Sequence, residues 1–302
     1  MGADSMTFVR EATMQKTFAN ATKVFEIPQL PIVVMTYGLG AFGRRSIESL
    51  IDEWSLSMPA YAKRPYTVNE VARDLGTWLF AKHSDWLKLL EESSTERQGA
   101  ALIAEGGEGA GSIEVFDPQQ FMTGIVVGGY EPDSQYPWVW TWEQPPRPGM
   151  PSGLTISRAH EGPEGSDGPP SGLDSWGNTT AIDRLVKGYD SGLLEALRAS
   201  GCLDGTKEAE LAVYQEQHRW QLVCEGMPVQ DAVDLVRFML RVGSGYERFR
   251  DGMQQIGGDV DIAVVKRNGV HWTDRKQLTS ALAAMKGITI VQGPPKGEVK
   301  GM

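Results

Sequence analysis

Strand-like runs, two helical stretches, further strand-like runs, two more helical regions and closing strands predict a mixed fold of α and β elements in this chain. That order suggests two sheets packed face to face with helices outside. Three observations carry the prediction. The run from Ile32 to Tyr37 is short, β-branched and bounded by Pro28, Pro31 and Gly38, the pattern of a buried strand. Thr67-Val68-Asn69-Glu70 is a capping box that opens an apolar stripe through Val71, Ala72, Leu75, Trp78 and Leu79. Val229, Val233, Val236 and Leu240 recur at spacings of three or four, as one face of a helix requires.

The elements follow in order. Residues 1–7 read as the tail of a strand entering a turn. Residues 23–27 and 32–41 are short strands that feed a helix at Gly43-Arg44-Arg45-Ser46. A helix from near Ser46 to before Pro59 places Ile47, Leu50, Ile51 and Trp54 on one face. Residues 91–111 are polar and glycine-rich, which marks a loop. Residues 121–130 form a strand, and Trp138-Val139-Trp140-Thr141-Trp142 alternates strictly. Such alternation fits a hairpin strand whose aromatic face is covered; a platform for sugar or peptide is its other use. Residues 145–151 and 161–172 are rich in Pro and Gly and have little capacity to pack. Helices are expected over residues 181–199, 211–222 and 229–249, then a strand at 260–265. Asn268-Gly269 reads as a hairpin turn, with Val270 to Trp272 as its return. The whole is one domain over residues 1–302, with loop-rich insertions around 91–111 and 143–174.

Composition narrows the function classes. The net charge is -10 with no block of Lys or Arg, so nucleic acid is not an expected partner. No apolar run approaches the ~20 residues that cross a bilayer, and residues 1–10 lack a signal-peptide core. No membrane association is expected, and the cytoplasm is the default compartment. Cys202 and Cys224 share no metal-ligand spacing, and His83, His160, His218 and His271 are scattered. Gly38-Leu39-Gly40-Ala41-Phe42-Gly43 meets a dinucleotide-loop spacing, but Asp52 and Glu53 fall inside the expected helix rather than at a strand end. No cofactor is expected.

Four motifs in this order resemble the proteasome-type subunits of the N-terminal-nucleophile hydrolases. They are Ala3-Asp4-Ser5, Lys23-Val24-Phe25-Glu26-Ile27, Tyr37-Gly38-Leu39-Gly40, and Ile256-Gly257-Gly258 running into Asp261-Ile262-Ala263-Val264. The likeness spans residues 1–54, 121–130 and 175–277. It implies an α+β fold, specifically a four-layer α-β-β-α sandwich, and homo-oligomers that form rings. It also implies a threonine peptidase acting on peptide or protein substrates. In this chemistry a threonine hydroxyl, weak as a nucleophile, is activated by the chain's own α-amine, whose unperturbed pKa near ~8 suits proton transfer. By resemblance Lys23 matches the supporting lysine and Asp4 its carboxylate. Gly38 matches the glycine whose N–H receives the developing oxyanion. Each also has a plainer use: an edge lysine, a turn-forming Asp, a glycine at a bend.

The departures matter. A whole strand beginning with the nucleophilic threonine should precede Asp4, where three residues stand. Asp251 can match the family's second Asp only across a longer turn, and Ile256 stands where a serine is expected. Ser175 is the candidate to replace a missing serine ahead of the third helical region, and Met6 replaces an arginine. Gly2 has no side chain to attack with, while Ser5 and Thr7 carry amide nitrogens that cannot act as bases. As written, the chain is expected to lack the nucleophile. Either the first strand lies upstream of the recorded start, or the protein is a non-catalytic assembly or interaction homologue. A small-molecule amidase of the same type is the further alternative.

Overall fold

The structure is a computed structural model and describes residues 1–11, 14–57, 61–104, 117–145, 157–158, 172–218, 222–224, 226–252 and 254–276. The first strand, β1 (Gly2–Ala3), is followed by a hairpin that the sequence did not announce, β2 (Thr7–Glu11) and β3 (Met14–Phe18). Next come β4 (Val24–Glu26) and β5 (Ile32–Gly38). Gly43 to Ser46 does not open a helix. Instead β6 (Ala41–Phe42) and β7 (Arg45–Ser46) fold back on each other around Gly43, whose φ of +58° suits glycine. Helix α1 (Ile47–Ser57) starts one residue later, with Ser46 Oγ accepting the Ser49 N–H at 3.1 Å. The stripe Ile47, Leu50, Ile51 and Trp54 is buried as expected.

Helix α2 (Val68–Ala104) uses half of its capping box. Thr67 Oγ1 accepts the Glu70 N–H at 3.0 Å, but the Glu70 carboxylate turns away to Arg64 at 2.6 Å. The Val68 N–H is met by Glu131 Oε1 at 3.0 Å, a partner distant in sequence. The helix also runs through the first two thirds of the loop expected at 91–111. Glu, Arg, Gln, Ala and Leu dominate up to Ala104 with Gly99 as a lone interruption, and those residues favour helix. Residues 105–111 of that expected loop lie outside the described residues.

Strands β8 (Thr123–Gly129), β9 (Trp138–Gln144) and β10 (Ser157–Arg158) complete a five-stranded antiparallel sheet ordered β10-β9-β8-β5-β4. The expected insertion at 143–174 therefore begins inside a strand; most of its length, 146–156 and 159–171, lies outside the described residues. The helix expected over 181–199 is two helices, α3 (Thr180–Lys187) and α4 (Ser191–Ala199). Gly188 closes α3 at φ +86°, and Asp190 caps α4 by accepting the Leu193 N–H at 3.1 Å. Helix α5 (Gly205–His218) lies earlier than its apolar pattern suggested, because Asp204 accepts the N–H groups of Thr206 and Lys207 at 3.1 and 3.0 Å. Helix α6 (Val229–Phe249) matches its expected bounds. The final pair, β11 (Asp261–Lys266) and β12 (Gly269–Asp274), turns at Arg267-Asn268, one residue before the expected Asn-Gly turn.

β1, β11 and β12 form a second antiparallel sheet in which, among the described residues, β1 is an edge. The alternation along β5 and β8 explains the packing. Ile32, Val34, Ile125 and Val127 face one core with Leu50, Leu75 and Leu79 of α1 and α2. Val33, Met35, Tyr37 and Val126 face the other way, toward Ala3 and Ala263 of the smaller sheet. The tryptophan face of β9 is partly covered: Trp142 is buried in the first core, and Trp138 and Trp140 pack half-buried against it. Gly76 of α2 makes room for Trp142, since a Cβ there would lie 1.7 Å from the indole. On the far side of the small sheet, Val236 of α6 meets Gly2, and α3 packs on α6. No helix among the described residues is long and apolar enough to cross a membrane.

Candidate active site

Asp4 follows directly from β1 and Lys23 directly precedes β4, so the two short strands bring their ends together. Lys23 Nζ lies 2.8 Å from Asp4 Oδ1, with the side chains only 14% and 13% exposed. Asp4 Oδ2 accepts two further bonds, from the N–H of Met6 and the N–H of Gly257, both at 2.9 Å. The plainer use of this residue, shaping a turn, is thus present together with the ion pair. The Lys23 backbone is fixed in turn, because the Thr36 N–H donates to its carbonyl at 2.9 Å.

Gly38 ends β5 at φ +83°, and a Cβ there would lie 2.2 Å from the Met122 carbonyl oxygen. That oxygen accepts the Leu39 N–H at 3.1 Å. Only glycine fits this bend. Ile256-Gly257-Gly258 closes against the same corner: the N–H groups of Ser5 and Met6 donate to the Gly257 carbonyl at 3.0 and 2.9 Å. Ser5 Oγ also donates to the Asp259 carbonyl.

Lys23, Asp4, Gly38 and Ser175 all border one cavity of about 690 Å³, between the β1 edge and helices α3 and α6. Ser175 sits on an exposed stretch of its rim. Asp251 is not brought in: it is exposed, and the neighbouring Arg250 lines the cavity instead. Ile256, where the resemblance expects a serine, does line the cavity.

The buried carboxylate of this region is Glu247, which the sequence reading missed. It is 3% exposed and accepts from Asn178 Nδ2, Arg250 and the Gln255 N–H, each at 3.2 Å. Asp4 and Glu247 therefore grip the 255–257 segment from opposite ends. The signal was available: Glu247 continues the spacing of Val236, Leu240 and Gly243 on the inward face of α6. A carboxylate inside such a stripe needs buried partners.

A second cavity of about 420 Å³ opens on the other side of the ion pair and shares Lys23, Thr36, Tyr37 and Gly38 with the first. Its floor includes Gly40, against which Thr7 packs with its Oγ1 buried and, among the described residues, without a hydrogen-bond partner. At its rim Thr22 Oγ1 donates to Glu48 at 2.9 Å. The ammonium and the glycine turn thus stand between two hollows, where a cation and a backbone donor can stabilise an oxyanion.

His83 lies behind this wall. It is fully buried against Phe42, its Nε2 is 2.8 Å from the Phe121 carbonyl, and its Nδ1 has no partner among the described residues. Burial pushes its pKa down to about 4. The neutral ring holds Phe121, next to the Met122 carbonyl that shapes the Gly38 bend. Among the described residues no group of three or more His, Cys, Asp or Glu is placed to hold a metal ion. No known protein-family model matches the chain, and no curated protein matches its sequence at a significant level.

Proposed function

We propose that this chain is a nucleophile-first hydrolase domain of the proteasome-subunit kind, built as a four-layer α-β-β-α sandwich. In it Lys23, Asp4 and Gly38 serve a threonine hydroxyl laid against the free edge of β1. The observation that carries the reading is the Lys23–Asp4 pair at 2.8 Å beside the left-handed Gly38, on the wall of a cavity bordered by that edge. The layering is supported by two cores on opposite faces of the five-stranded sheet, with α6 beyond the smaller sheet.

In this mechanism the hydroxyl oxygen attacks a peptide carbonyl carbon and its proton passes to the threonine α-amine. The Lys23 ammonium favours the developing alkoxide, and the Gly38 N–H faces the tetrahedral oxyanion. The amine returns the proton to the leaving nitrogen, the C–N bond breaks, and an ester joins enzyme to acyl group. Water then cleaves the ester. The 420 Å³ hollow lies where a substrate side chain would enter. Peptides are the proposed substrates, and a homo-oligomeric ring in the cytoplasm is the proposed form. A non-catalytic assembly protein is the second reading, favoured by Ile256 in the wall and by Asp251 outside it.

The test is covalent labelling of the natural product made in its own host with a peptide epoxyketone or β-lactone, read by intact mass, alongside turnover of fluorogenic peptides and small amides. The reading expects an adduct on threonine that is lost in Lys23→Ala and kept in Asp251→Ala. Absence of both adduct and turnover in folded protein supports the assembly reading; turnover of small amides alone supports an amidase.

A further inference from the structure

We infer that Glu247 is a positioning residue for the Lys23–Asp4 pair: its buried carboxylate pins the 255–257 turn, and through that turn it fixes where Asp4 and Lys23 stand at the cavity wall.

The place of Glu247 in α6 is unusual. It continues the inward stripe after Val233, Val236, Leu240 and Gly243, whose other members are apolar or small. A leucine would suit that position, whereas a buried carboxylate is costly unless charge and hydrogen bonds compensate it. Three segments do so. Asn178 Nδ2, just ahead of α3, and Arg250, just past α6, donate to Oε1, each at 3.2 Å. The Gln255 N–H donates to Oε2 at 3.2 Å, and Asn178 Nδ2 also donates to Gln255 Oε1 at 3.0 Å. Asn178, Arg250 and Gln255 all border the larger cavity, so one carboxylate ties together three pieces of its wall.

The turn depends on such ties. Gln255, Gly258 and Asp259 are exposed, so burial does little to hold them. The far end is clasped by the Asp4 corner. The Gly257 N–H donates to Asp4 Oδ2 at 2.9 Å, and the Gly257 carbonyl accepts the N–H groups of Ser5 and Met6 at 3.0 and 2.9 Å. Between the clasps Ile256 lies against α6 at Gly243, where a Cβ would come within 3.4 Å of its Cδ1. From the Gln255 nitrogen to the Gly257 nitrogen is two residues, at most ~7 Å of chain, so a shift at one clasp reaches the other.

What reaches Asp4 reaches Lys23. Asp4 Oδ2 is occupied by the N–H groups of Met6 and Gly257, which leaves Oδ1 to Lys23 Nζ at 2.8 Å. Loss of the Gly257 donor frees the carboxylate to rotate, and the ammonium follows it. The positioning of the pair stands on this geometry alone; its consequence for catalysis rests on the hydrolase reading.

The experiment compares the parent with Glu247→Gln, which keeps the shape and removes the charge and one acceptor oxygen. In the full chain, amide exchange at Gly257 and Met6 is expected to rise about tenfold, while the amides of β8 stay within about twofold of the parent. An equal rise in β8 means that Glu247 only stabilises the fold, and overturns the inference; so does unchanged exchange at Gly257 and Met6. Should Glu247→Gln fail to fold, Asn178→Ala leaves the carboxylate in place and is expected to raise Gly257 exchange about threefold. No rise overturns the inference. The catalytic consequence is read with the peptide epoxyketone on the natural product made in its own host. The maximal labelling rate of Glu247→Gln is expected to fall at least about tenfold, with the half-saturating probe concentration within about twofold of the parent's. The second expectation follows because Asn178, Glu247, Arg250 and Gln255 are absent from the wall of the smaller hollow proposed for the substrate side chain. In a parent that labels, an unchanged rate overturns the inference. A parent that is never labelled, yet shows the local rise in exchange, supports the positioning while overturning the hydrolase reading.

Discussion

The two faces of the five-stranded sheet are packed to different degrees. On one side, α1 and α2 close over a continuous core that includes Leu50, Leu75, Leu79, Trp54 and Trp142. On the other, the smaller sheet meets it through Ala3, Val24, Val33, Met35, Tyr37, Val126 and Ala263, and a large hollow remains beside β1. The ion pair, the glycine bend and the gripped 255–257 turn all lie at that hollow. The contrast teaches that the first face supplies rigidity, and that the second keeps room for a ligand or strand at the cost of packing.

The largest effects should come from the filled face. Trp142→Ala empties a site that Gly76 has been shaped to accept, and such truncations cost about 3–5 kcal/mol. A fall in the urea midpoint of the corresponding size checks this. Gly76→Leu should be worse still, because the new Cβ would meet the indole at 1.7 Å; loss of the folded signal in circular dichroism is the expected result.

His83 belongs to the same face and makes it pH-sensitive. Its folded pKa is about 4, below the ordinary 6.5, so the unfolded chain binds the proton more readily between those values. Stability from this group is complete above the unfolded value and is lost as pH falls from about 6.5 toward 4, by on the order of 3 kcal/mol in all. The slope of stability against pH in that window should flatten in His83→Gln. An unchanged slope would assign the effect to other groups.

Gly38→Ala strikes the boundary between the two faces. The left-handed conformation costs a residue with a side chain roughly 1–2 kcal/mol, and the Met122 carbonyl must also move. Stability should fall modestly, while reaction with a threonine-directed probe should be lost, because the displaced peptide carries the proposed oxyanion donor. Retained probe reactivity at the wild-type rate would remove Gly38 from the mechanism.

What the sequence revealed follows the same division. The β-branched run of β5 between Pro31 and Gly38 and the stripes of α1, α2 and α6 were readable, because repeated apolar burial leaves repeated apolar residues. The breaks were not: Gly188 and Asp190 split one expected helix through a single left-handed residue and a single cap. The β2–β3 hairpin carries no strong periodic signal, and the helix beyond Glu91 was masked by polar composition, although its residues favour helix. At the site, Lys23, Asp4 and Gly38 were placed by resemblance and do gather at one cavity. Asp251 was placed by the same resemblance but is exposed, whereas Glu247, in the inward stripe of α6, is the buried carboxylate.

The smallest effect sharpens the comparison most. Leu75 is fully buried in the filled core, so Leu75→Ala should cost about 2–5 kcal/mol. Leu240 is half-buried at the edge of the hollow, and Leu240→Ala should cost only about 1 kcal/mol, since fewer contacts are lost. Urea unfolding of the two variants beside the parent protein reads the difference. Equal losses at the two positions would mean that the two faces of the sheet are packed alike, and the contrast drawn between them would fall.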